Sequence, residues 1–134
     1  MLKYGFKVCL LGLFLLASCS DPATDLIGSE PLASYVPQSG VLIDETSSEG
    51  GSTLGKPNVA RLIRTFETVE SATQDDLLEE ILASSELGEW SKVDEAVGTE
   101  RYLATKQFDD FELSASVMRK DSKEVTIGIT ARNI

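Results

Sequence analysis

"FELSASVMRKDSKEVTIGITA", residues 111–131, is the stretch that decides the predicted fold of this chain. Apolar and polar side chains alternate on both sides of a polar segment, RKDSKE at 119–124. Alternation with a period of two indicates strands that bury one face, and the polar segment indicates the turn between them. The predicted apolar face carries Phe111, Leu113, Ala115 and Val117 on one strand and Val125, Ile127, Ile129 and Ala131 on the next.

A third strand at residues 102–108 precedes this pair and extends it to a meander. A two-residue loop at Asp109-Asp110 places Phe108 opposite Phe111, so that the apolar residues of both strands share one face. Lys106 falls on the same face, which means either that its charged end reaches the sheet edge or that the register is wrong. The predicted register pairs Tyr102 with Val117 and Ala104 with Ala115.

Residues 58–70, NVARLIRTFETVE, carry apolar side chains at helical spacing and predict the first of two helices. The same segment is rich in Thr, Val, Ile and Phe, so a strand remains the alternative. The apolar positions are Val59, Leu62, Ile63, Phe66 and Val69.

Residues 74–87 predict the second helix, with Thr73 as its N-cap and Gly88 as its end. We expect Trp90 to plug the core beyond that end. The predicted fold is therefore α+β, with two helices packed on one face of a three-stranded antiparallel meander in a small domain at 58–134. The apolar stripe of the second helix consists of Leu77, Leu78, Ile81 and Leu82.

Residues 19–57 predict a flexible, disordered tether in front of this domain. All four prolines lie here, and six acidic residues precede the first basic one, Lys56. Such a composition buries too little apolar area to offset the entropy of an ordered chain. An alternative is that residues 34–43, SYVPQSGVLI, dock on the domain as a short strand.

The first 18 residues predict a signal peptide, with Lys3 and Lys7 before an apolar run at 8–17 that is too short to span a bilayer. Leu16-Ala17-Ser18-Cys19 resembles the lipobox of bacterial lipoproteins. The resemblance implies cleavage before Cys19 and a palmitate-bearing lipid on its sulfur, which anchors the protein to a membrane of the cell envelope. With Ser20 after the cysteine it implies the outer membrane in a Gram-negative cell, and otherwise the outer face of the cytoplasmic membrane. The alternative is an ordinary signal peptide cleaved near Ala17.

Charge and residue types exclude several functions. Residues 19–134 carry 22 acidic residues against 10 basic ones, the chain's 12 less Lys3 and Lys7, so their net charge is −12. This disfavours nucleic-acid binding, which needs a basic face. The chain has no histidine and, with Cys19 acylated, no free thiol after cleavage. Histidine-dependent nucleophiles and the usual zinc sites are thereby excluded, and we expect no metal, cofactor or catalytic residue.

The outer face of the predicted sheet is the remaining candidate site. It carries short polar side chains, and a non-catalytic binding or accessory role with an envelope protein partner is the predicted function. The alternatives are a small hydrolase that uses carboxylates and a structural or surface lipoprotein without a defined ligand. The candidate binding residues are Ser114, Ser116, Thr126 and Thr130.

Overall fold

A computed structural model describes residues 21–53, 56–95 and 101–134. They form a six-stranded antiparallel sheet in the order β1-β4-β8-β7-β6-β5, a separate two-stranded ribbon of β2 and β3, and three short α-helices. The helices are α1 (Pro22–Ser29), α2 (Pro31–Ser34) and α3 (Gln74–Leu82), with a 3₁₀ helix at Ser85–Leu87. The strands are β1 (Gly40–Ser48), β2 (Gly51–Thr53), β3 (Lys56–Asn58), β4 (Ala60–Thr68), β5 (Ser91–Glu95), β6 (Arg101–Phe108), β7 (Phe111–Lys120) and β8 (Glu124–Asn133).

The register predicted for the first hairpin of the last three strands is confirmed. Phe108 faces Phe111 across a two-residue turn in which Asp109 adopts a φ of 52°, a conformation that aspartate tolerates better than most residues. Lys120 pairs with Glu124 across the second turn, where Asp121 has a φ of 50°. The period-two pattern succeeds here because one face of each strand is buried and the other is not. The confirmed pairs of the first hairpin are Tyr102 with Val117 and Ala104 with Ala115.

The predicted fold of two helices on a three-stranded meander is nevertheless wrong, because the sheet has six strands. Residues 58–70 do not form a helix: Ala60–Thr68 is β4, which pairs with β8 on one side and β1 on the other. Helical spacing of the apolar residues competed with their β-forming character, and the free edge of β8 favours the strand. Arg64 lies on the inner face and Ile63 on the outer one, which hid the alternation.

The predicted disordered tether is wrong as well for the described residues before β2. Pro22 and Pro31 each occupy the start of a helix, where the missing amide hydrogen and fixed φ of proline favour helix formation. Asp21 caps α1 by accepting a hydrogen bond from the Thr24 amide at 3.0 Å. Leu32 is fully buried. Pro22 and Pro31, which the composition argument counts as signs of disorder, thus begin helices, and the alternative of a strand at 34–43 is nearer to the observed β1.

One helical layer covers one face of the sheet. α1 packs against β4 and β8, and α3 packs against β7 and β8. The predicted cap of α3 is confirmed, since the Thr73 hydroxyl accepts from the Asp76 amide and the Asp76 carboxylate accepts from the Thr73 amide. α3 ends at Leu82, before the predicted 87. The largest fully buried side chains are Phe66, Leu32, Leu77, Ile81, Leu113, Ile127, Ile129, Val117 and Val125.

Candidate functional site

The outer face of the sheet, opposite the helical layer, contains a shallow depression of about 260 Å³. Its floor belongs to the central strands β7 and β8, whose side chains there are small, and its two walls belong to the flanking strands β4 and β6. This difference in side-chain size forms the depression. The floor consists of Ser114, Ser116, Gly128 and Thr130 with the backbone of Ala115, and the walls are Arg61 and Ile63 on one side and Arg101 and Leu103 on the other.

The strand registers set the width of the depression. Ile63, Gly128, Ser116 and Leu103 lie in one row across four strands. A Cβ atom built at Gly128 would lie only 2.8 Å from the Ser116 hydroxyl oxygen. A larger residue at position 128 therefore forces the floor apart or fills it, so the depression depends on this glycine.

Among the described residues that line the depression, Arg61 and Arg101 are the only charged ones. Both are exposed, and neither forms an ion pair or hydrogen bond with a side chain that the structure describes. Other arginines differ: Arg132, farther along the same face, is neutralised by Glu112, with 3.0 Å between Nε and the carboxylate. Two unneutralised guanidinium groups are notable in a chain with a net charge of −10.

Three of the four predicted binding residues line this depression, namely Ser114, Ser116 and Thr130. Thr126 does not: it is 9% exposed, and its hydroxyl lies 3.3 Å from the hydroxyl of Thr65 on β4. A buried hydroxyl satisfied by its neighbour is part of the sheet rather than a free ligand group. The predicted lipidation site, Cys19, lies outside the described residues.

Sequence reasoning missed the walls of the depression. The helix predicted for residues 58–70 includes Arg61 and Ile63, so the prediction does not place them on the outer face of a sheet. Arg101 and Leu103 were within reach, because they alternate with the predicted inward residues Tyr102 and Ala104. A strand assignment for residues 60–68 supplies the missing signal, since its alternation puts Arg61 and Ile63 on the outer face.

A second polar cluster surrounds Lys106 on the inner face. Its ammonium group lies 3.2 Å from the Glu30 carboxylate, 3.4 Å from that of Glu89 and 5.9 Å from the centre of the Trp90 ring. Glu30 belongs to the junction of α1 and α2, and its side chain is 7% exposed. The predicted register was thus right, and Lys106 neutralises a buried carboxylate. Trp90 is buried as predicted, and its indole Nε1 has no hydrogen-bond partner in the described part of the chain.

Arg64 on β4 contacts residues that precede β2 in the chain. Its side chain is 5% exposed, and its Nε donates to the Glu45 carboxylate on β1 at 2.9 Å. Its Nη1 donates to the backbone carbonyl of Tyr35, just after α2, and the guanidinium lies 5.1 Å from the centre of the Phe66 ring. A buried charge is tolerated when it is paired and hydrogen-bonded, and these three contacts supply that compensation.

The comparisons and the searches for other kinds of site are negative. No protein-family model, curated protein or solved structure matches the chain. Within residues 21–53, 56–95 and 101–134, no cluster of three or more Cys, Asp or Glu side chains is arranged to hold a metal ion. None of the helices in those ranges has the length and apolar character needed to cross a membrane.

Proposed function

We propose that this chain is a lipid-anchored protein of the bacterial cell envelope with a non-catalytic binding role, and that its binding site is the depression on the outer sheet face. The observation that carries the proposal is the asymmetry of the sheet. Its inner face is covered by helices, while its outer face presents three hydroxyls and two unneutralised arginines around a shallow hollow. Polar groups that converge in a concave site are what ligand recognition requires.

The anchor rests on the leader sequence. Leu16-Ala17-Ser18-Cys19 resembles a lipobox, and two or more acyl chains give stable membrane attachment, because each buried methylene contributes about 0.8 kcal/mol. A protein held in this way needs no membrane-binding surface of its own. The residues that remain exposed are then available for a ligand or partner, in the outer membrane where the cell has one and otherwise on the outer face of the cytoplasmic membrane.

Binding is favoured over hydrolysis by the lining of the depression. A hydrolase that works through carboxylates needs two acids on opposite sides of the scissile bond. Among the described residues that line the depression there is no carboxylate. Arginine and hydroxyl groups instead supply hydrogen bonds that orient a ligand without activating a nucleophile.

The anchor is tested by Cys19→Ser, which should abolish incorporation of labelled palmitate because it removes the only acylated sulfur. A palmitate label that persists in this variant contradicts the lipobox interpretation. Membrane fractionation alone does not decide the matter, since an uncleaved leader can keep the variant on the membrane.

The binding face is tested by Ser116→Glu, which places a longer, negatively charged side chain on the floor of the depression. We expect it to abolish recovery of the specific ligand or partner from detergent-solubilised membranes, while the melting temperature stays within a few degrees of the wild type. Gln107→Glu is the matched control, because Gln107 is exposed and lies on the outer face outside the depression. Equal recovery with all three proteins rejects the outer face as the site.

A further inference from the structure

The two arginines lie at diagonally opposite ends of the depression. Arg61 on β4 is level with Thr130, whereas Arg101 on β6 is level with Met118, which pairs with Thr126. Three strand spacings across the sheet and four residues along it place the two Cα atoms roughly 20 Å apart. A ligand that reaches both guanidinium groups is therefore elongated and crosses β7 and β8 diagonally.

The charge of that ligand follows from the guanidinium groups. Arginine presents a planar set of donors that matches carboxylate and phosphate groups. Arg61 and Arg101 have no such partner among the described side chains, while Arg64, Arg119 and Arg132 each have a carboxylate. An anionic group at each end of the ligand completes the pairing that the protein itself leaves open.

The middle of the ligand must suit the floor. The backbone amides and carbonyls of β7 and β8 are taken up by the sheet ladders on both sides, so they are not available to a bound chain. The polar groups that remain on the described part of the floor are the hydroxyls of Ser114, Ser116 and Thr130, each of which both donates and accepts. A peptide lying here would find no backbone groups of the sheet to pair with, whereas sugar hydroxyls match protein hydroxyls in both roles.

We infer that the depression binds an acidic oligosaccharide, with its carboxylates on Arg61 and Arg101, its hydroxyls on the serines and threonine of the floor, and its apolar ring faces against Ile63 and Leu103. This inference rests on the proposed function of the outer face and specifies the ligand class. Arginine–carboxylate pairing supplies the affinity, so binding weakens as salt screens the exposed charges.

The test uses the full chain in detergent and trigalacturonate as the probe, with its methyl ester as the uncharged counterpart. We expect calorimetry to detect the acid and not the ester. Arg61→Gln and Arg101→Gln should each weaken binding about tenfold, the loss expected for a hydrogen bond to a charged group. Arg132→Gln is the control, because Arg132 lies on the same face but is already paired with Glu112 and should leave binding unchanged.

Three results overturn the inference. No binding of the acid, or the same binding by all variants, removes the site. If the wild type binds trigalacturonate and its methyl ester equally, and Gly128→Val binds neither, the ligand need not be anionic. The outer face is still a binding site in that case, so the proposed function survives. Equal or tighter binding of a tetraglutamate peptide identifies the anion and refutes the saccharide.

Discussion

Leu32→Ala is the most decisive substitution, because it tests whether the residues before β2 belong to the folded unit. Leu32 lies in α2, is fully buried, and sits in the same apolar cluster as Phe66 and Ile127. In a flexible tether the change costs nothing. In the observed fold it removes three buried carbons and leaves a cavity, which typically lowers the free energy of unfolding by about 2–5 kcal/mol.

A loss of that size is a large fraction of the stability of a small domain, which is about 5–15 kcal/mol. For a chain of this length we expect the melting temperature to fall by roughly 10 °C or more. Thermal unfolding of the full-length protein, followed by circular dichroism, measures the shift. Val36→Ala is the matched control, since Val36 lies four residues later and is 57% exposed, and it should change stability by no more than about 0.5 kcal/mol.

Equal melting temperatures for wild type, Leu32→Ala and Val36→Ala refute the reasoning, because α2 then contributes nothing to the core. Limited proteolysis gives an independent reading. In the observed fold, cleavage within residues 22–34 is slow in the wild type and fast in Leu32→Ala. Cleavage within residues 22–34 at the same fast rate in both proteins supports the flexible tether that the sequence predicts.

Two further predictions concern polar contacts. Lys106→Ala leaves the buried Glu30 carboxylate unpaired and should lower the free energy of unfolding by about 3 kcal/mol in urea titrations. Glu89→Ala, which removes an 83% exposed partner of Lys106, should change it little. Equal effects of the two substitutions show that Lys106 does not stabilise a buried Glu30. The hydrogen bond from the Thr73 amide lowers the pKa of Asp76, so the ionised carboxylate stabilises the fold fully above the ordinary pKa of 3.8 and loses this effect as the pH falls through the lower pKa of the folded state. Asp76→Ala should therefore lower the free energy of unfolding at neutral pH, and the difference from the wild type should vanish in acid. A difference that stays constant with pH shows that the carboxylate does not cap the helix.

The sequence predicts the last three strands and the register of the first hairpin because their environment is simple. β6, β7 and β8 each turn one face toward the core, so polarity alternates, and the Asp109-Asp110 turn fixes the pairing of β6 with β7. The cap of α3 was equally local, since Thr73 and Asp76 are three residues apart. Signals of this kind need no knowledge of the rest of the chain.

The first half of the chain was mispredicted because its order depends on distant partners. α1 and α2 are too short to be stable alone; α1 packs on β4 and β8, and α2 packs against α1 and the 3₁₀ helix. An argument from composition counts prolines and acidic residues over the whole segment. It does not detect that Ile27 and Leu32 are buried in the core. The same holds for Glu30, whose burial is acceptable only because Lys106 reaches it from β6.

Two adjacent residues on β4 explain both errors. Ile63 points outward and Arg64 inward, the reverse of what a half-buried strand requires, and together they made the segment resemble a helix. Arg64 is inside because it binds Glu45 and the Tyr35 carbonyl, and so holds the supposed tether against the sheet. Ile63 is outside, level with Thr46 and Gly128, where it forms a wall of the depression. A break in a polarity pattern is most informative when it has its own physical cause. Here the buried Arg64 marks the contact with the ordered N-terminal segment, and the outward Ile63 marks the candidate site.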